Sequence, residues 1–274
     1  MKKFIAILLM LTFVVCAVAC GNNDGNVEDT TVADTTVEDT TVEDTTVEDT
    51  TVEDTTAEEV DDGVMSYDEY VAADLDTEVT VIGYVQGAQA YAEQYGNTSL
   101  YLQDEDGAYF VYRLACSAED YALFTEGTAV KVTGYKAEWS GEIEITDATF
   151  EIVEGNYVAE AKDVTELLDT KEIIDLQNQK VTFKGMTVEA STDDEGNESA
   201  FLYKGGVAGN DIYFNVSYNG VTYAFTVETD LCGADTDVYK AVEALNIGDV
   251  IDLEGFLYWY NGVNPHITAV SAAE

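Results

Sequence analysis

The chain has 274 residues, with 55 Asp and Glu against 11 Lys and Arg, a formal net charge of −44 and a single histidine. That acidic excess argues against nucleic acid and anionic membrane surfaces as partners, because both are normally met by phosphate-neutralising Lys and Arg. Four cysteines with no C-x-x-C pair and no histidine cluster argue against a zinc site.

In chain order, Lys2 and Lys3 precede an apolar run from Phe4 to Ala19 broken by Thr12. The run is too short for a permanent transmembrane helix and reads as a secretory signal over residues 1–19. Ala17-Val18-Ala19-Cys20 resembles the lipobox of bacterial lipoproteins, and Cys16 fits that pattern less well behind the bulky Val15. The resemblance implies lipidation of Cys20, anchoring to the bacterial cell membrane and an extracytoplasmic location. From Val27 to Thr56 the sequence is built of five-residue units, V-E-D-T-T with one V-A-D-T-T at Val32 to Thr36. A period of five matches neither helix nor strand, and like charges repel, so residues 20–62 are expected to be a disordered acidic tether.

Residues 63–155 and 156–274 are expected to be two domains of one design. A short helix near Tyr67 to Ala73 precedes strands from Val79, Ser99 and Ala108, the last two joined by Asp104-Glu105-Asp106-Gly107. Ser117-Ala-Glu-Asp caps a short helix ended by Gly127, and strands from Thr128 and Glu142 flank Trp139-Ser140-Gly141. The second half repeats the pattern. Gly248, Gly255 and Gly262 copy the spacing of Gly127, Gly134 and Gly141, and Val181 to Gly185 mirrors Val79 to Gly83. A helix is expected near Thr236 to Asn246, after Cys232, as the first follows Cys116. Tyr218-Asn219-Gly220-Val221 marks a hairpin, while the second strand of this half is either Ala200 to Lys204 or Ile212 to Ser217.

The order β-β-β-α-β-β, with Gly83 in strand one and Gly127 to Gly134 opening strand four, resembles the OB-fold. The resemblance implies a mainly β protein of two tandem five-stranded Greek-key barrels, each with a short helix. It also implies ligand contact through strands two and three and the loops after strands one and four.

No nucleophile elbow, zinc-binding helix or phosphate-binding glycine loop is present, so no catalytic residue, metal or cofactor is expected and the chain reads as a non-enzyme. His266 reads as a structural residue, and Asp193 to Glu198 as a solvated loop. Cys116 and Cys232 read as free thiols in preference to an interdomain disulfide. Candidate ligand-binding residues are Tyr84, Tyr91, Tyr95, Tyr101, Arg113, Trp139, Tyr258, Trp259 and Tyr260. Their rings favour a glycan, wall polymer or protein as ligand. The alternative is an OB-type binder of single-stranded oligonucleotides, which a basic groove around Arg113, Lys131 and Lys136 would support.

Overall fold

The computed structural model describes residues 63–273. The expected signal sequence, Cys20 and the acidic repeat lie outside them.

The first barrel opens with α1 (Tyr67–Ala72), whose Ser66 and Glu69 form a reciprocal capping box. It continues through β1 (Glu78–Ala88), β2 (Asn97–Gln103), β3 (Ala108–Ala115), α2 (Ala118–Tyr121), β4 (Thr128–Trp139) and β5 (Glu142–Asn156). The strands close in the order β1-β2-β3-β5-β4, with β3 and β5 parallel and the other pairs antiparallel. Alternate side chains such as Val79, Val81, Leu100, Leu102 and Val132 fill its interior.

The second barrel consists of β6 (Lys180–Glu189), β7 (Ile212–Tyr218), β8 (Val221–Val227), α3 (Asp237–Glu243), β9 (Val250–Phe256) and β10 (His266–Ala272). β6 pairs with both β7 and β9, β7 with β8, β8 in parallel with β10, and β10 with β9. That ring has the first barrel's connectivity. Of the two candidates for its second strand, Ile212–Tyr218 takes the position, and Leu202–Tyr203 adds only a two-residue ladder beside it. Phe183, Phe214, Phe225 and Leu253 lie at the core of this barrel. The protein is thus mainly β, built from two OB-like barrels.

The repeated glycines have a structural cause at Gly134 and Gly255. Each lies at a register shift in strand four of its barrel, where strand five crosses closely. A Cβ at Gly134 would lie 2.8 Å from the Thr146 carbonyl oxygen, and one at Gly255 would overlap the His266 carbonyl.

The barrels share no strand ladder, but they dock face to face within one compact unit. β2 is buried along nearly its whole length, Leu100 and Leu102 inward and Tyr101 outward. Tyr101 stacks on Phe256 of the second barrel at 4.2 Å and 7°, and Phe110 meets Tyr258 edge-on at 5.5 Å. Aromatic pairs of this kind add about 0.5–1.5 kcal/mol each beyond their burial. Polar contacts surround them. Gln89 Nε2 donates to Glu228 at 2.6 Å, Lys180 N to Gln103 Oε1 at 2.8 Å, and Gln177 Nε2 to the Gly141 carbonyl at 2.8 Å.

Glu142, fully buried in this joint, accepts from Trp259 N at 2.8 Å through Oε2. Its Oε1 and the Asn178 Oδ1 both lack a donor, although the two side chains interact. Burial pushes the Glu142 carboxyl up to about 8, and Glu144 pushes the same way, against the lowering effect of the Asn178 and Trp259 hydrogen bonds.

Candidate functional site

The first barrel's face of β2 and β3, with the loop after β1 and the tip of the β4–β5 hairpin, forms one wall of a cleft of about 400 Å³. The second barrel forms the other wall. Tyr95, Tyr112, Arg113 and Trp139 line it from the first barrel, and Tyr258 and His266 from the second.

A bulge in β3 aims the arginine. The register with β2 slips between Leu100–Val111 and Thr98–Leu114, which returns Leu114 to the core. Without that slip, strict alternation from Tyr109 and Val111 would send Arg113 inward. Arg113 instead takes φ 51°, donates its backbone N–H to Ser99 Oγ at 3.2 Å, and is exposed at the cleft. Holding a non-glycine residue there costs of order 1–3 kcal/mol. Its guanidinium lies 4.9 Å from the Tyr112 ring centroid, a cation–π contact.

The rings differ in freedom. Tyr95 is 68% exposed and Trp139 53%. Trp139 lies 5.2 Å from Tyr260, itself 50% exposed, while Asn261 N donates to the Ser140 carbonyl at 2.7 Å. The two equivalent hairpins therefore touch tip to tip. Tyr258 is half-buried and stacks on His266 at 4.2 Å. Glu228 and Asp230 also line the cleft, and Lys204 is paired to Asp211 at 2.8 Å. Burial and the neighbouring Glu228 raise the Asp230 carboxyl.

The other candidate residues fall elsewhere. Tyr101 does leave its own barrel on the outer face, as alternation requires, but the second barrel seals it to 0% exposure. It is an interface residue, which corrects its assignment as a ligand contact. Tyr84 packs edge-on against Tyr157 at 5.5 Å, and Tyr91 stacks on Tyr121 at 5.7 Å. Trp259 does not line this cleft but a separate cavity of about 660 Å³, with Tyr67 and Tyr70.

The basic groove considered for Arg113, Lys131 and Lys136 does not form. Lys136 is buried under α1, with Nζ donating to the carbonyls of Tyr70, Val71 and Ala73 at 2.8–2.9 Å. There it satisfies the carbonyl end of a short helix. Lys131 lies beside Thr80 and Thr133, in a different depression. Cys116 and Cys232 are free thiols. Asp193 closes its loop by accepting from Glu195 N and Asn197 N, and among the described residues no group of three or more His, Cys, Asp or Glu side chains could hold a metal ion.

The sequence candidates Tyr95, Arg113, Trp139 and Tyr258 line the cleft, and Tyr112 and His266, which were not candidates, line it too. The outward position of Tyr112 follows from alternation with Val111. His266 carried no comparable signal, because its surroundings come from the other barrel.

No protein-family model matches the sequence, and no curated protein is significantly similar to it. Among solved structures, the chain is similar to a murine DNA-binding protein bound with double-stranded DNA, at 14% identity and TM-score 0.35, over 71% of this chain and 96% of that one. It is similar to the Ifi202 HINa domain in complex with 20-bp double-stranded DNA, at 14% identity and TM-score 0.32, over 73% and 97%. It is also similar to a Replication Protein A heterotrimer bound to single-stranded DNA, at 12% identity and TM-score 0.30, over 72% and 49%. The likeness is one of fold. All three are nucleic-acid complexes by name, and this corrects two expectations: that the ligand is a glycan, wall polymer or protein, and that nucleic acid is disfavoured as a partner. Whole-chain charge does not describe this cleft, where Arg113 and Lys204 stand with Glu228 and Asp230.

Proposed function

We propose that this protein binds single-stranded nucleic acid, taking unpaired bases into the cleft between its barrels. The observation that carries this reading is the coincidence of Tyr95, Tyr112, Trp139 and Arg113 on the strand two–three face and adjoining loops of an OB-like barrel. Exposed rings stack on bases of any identity, at about 1–3 kcal/mol per base. Arg113 supplies a cation to a phosphate or a flat guanidinium to a base. With so few cations at the cleft, stacking carries the affinity and counterion release contributes little. For one or two phosphate contacts the slope of log K against log salt is about −0.7 to −1.4.

The binding is non-catalytic. The protein acts outside the cytoplasm, as a bacterial surface lipoprotein held through Cys20. The lipobox-like Ala17-Val18-Ala19-Cys20 supports the anchor, and its test is release of Cys20→Ala from the membrane fraction while Cys16→Ala stays bound.

The binding test is a fluorescence titration of residues 63–274 with a short oligothymidylate at two salt concentrations. Trp139→Ala and Tyr112→Ala are each expected to weaken binding about tenfold. No binding by the unaltered protein, or equal binding by both variants, overturns the proposal.

A further inference from the structure

His266 is the only histidine in the chain, and it is held on three sides. Its ring stacks on Tyr258 at 4.2 Å and 20°. Its Nδ1 lies 2.7 Å from the Tyr101 hydroxyl and 3.3 Å from Glu228 Oε2, and Glu228 is itself fixed by Gln89 at 2.6 Å. The residue is only 7% exposed. Among the described residues Nε2 has no hydrogen-bond partner, yet it is not sealed from the surface, and the residue lines the cleft. Nε2 therefore opens onto the cleft.

The partners of Nδ1 settle where the proton sits. Tyr101 is fully buried, and among the described residues Nδ1 is the only partner of its hydroxyl. If Nδ1 carried the proton in a neutral ring, that hydroxyl hydrogen would be stranded away from water. Tyr101 therefore donates to a bare Nδ1, and the neutral ring carries its proton on Nε2. When the ring is protonated, Nδ1–H pairs with the Glu228 carboxylate, which offsets the lost Tyr101 hydrogen bond, and Nε2 keeps its proton. In both states the atom facing the cleft is a donor.

We infer that His266 is a recognition residue of this cleft, presenting Nε2–H as a fixed donor to an acceptor atom of the bound nucleotide. The inference rests on the nucleic-acid reading and deepens it. Stacking rings accept any base, whereas an oriented donor lining the cleft adds a directional requirement. The acceptor lies on a base edge or on a phosphate, and the two sources are separable.

A lone histidine gives unobscured ¹⁵N and ¹H signals. In the unliganded protein the ¹⁵N shifts are expected to show a bare Nδ1 and a protonated Nε2, and a neutral ring protonated at Nδ1 overturns the inference. Addition of oligothymidylate is expected to shift the Nε2 resonance. An abasic oligomer of equal length that reproduces the shift places the acceptor on the phosphate, and one that does not places it on the base. His266→Phe is expected to weaken binding about tenfold, and His266→Gln, which retains an N–H donor, to recover part of it. An unmoved His266 resonance with oligothymidylate bound overturns the inference while nucleic-acid binding stands. Absence of any binding by the unaltered protein overturns both.

Discussion

Replacing Glu142 by Gln isolates the proton held in the joint between the barrels. The carboxyl is fully buried and raised from 4.5 to about 8, chiefly by desolvation. Below pH 4.5 both folded and unfolded chains carry the proton, so the contribution to stability is fully present. Between 4.5 and about 8 the unfolded chain releases the proton and the folded chain keeps it. Stability then falls with rising pH at about 1.4 kcal/mol per pH unit. Relative to an uncharged side chain, the loss is about 2 kcal/mol at pH 6 and about 5 kcal/mol at pH 9, where it levels off. Gln keeps an acceptor for Trp259 N without titrating. Urea unfolding of Glu142→Gln and the unaltered protein from pH 5 to 9 should therefore give curves that diverge as pH rises, with the variant the more stable. Both chains share every other acidic group, so the difference reports Glu142. Parallel curves across that range would refute the raised carboxyl.

Lys136→Met strands three carbonyls at the end of α1 and should cost about 2–3 kcal/mol in chemical denaturation. Gly255→Ala drives a Cβ into the His266 backbone and should destabilise by at least about 2 kcal/mol, read as a lowered thermal midpoint. Burial pushes the Cys232 thiol up to about 11, so at pH 8 iodoacetamide should modify Cys116, half-buried, well before Cys232, as mass spectrometry of the peptides would show.

Period-two alternation and the repeated glycine spacing were enough to read two barrels of one connectivity, because each barrel closes its own core from its own strands. The hairpin at Asn219-Gly220 followed from local backbone preference, and Asn219 does take φ 50°. Alternation also placed Tyr101 correctly on the outer face of its strand. What covers that face lies more than 150 residues further along, in Phe256 and His266, and no local pattern announces it. The same limit hid the cleft. Arg113 reaches it through a bulge that slips strand three by one residue, and Trp259 leaves it because its hairpin docks on Glu142. Local stereochemistry, which depends on neighbours a few residues apart, is written along the chain. The docking of two finished barrels depends on the shape and burial of whole surfaces, and only the tertiary structure decides which aromatic rings remain free and which are sealed.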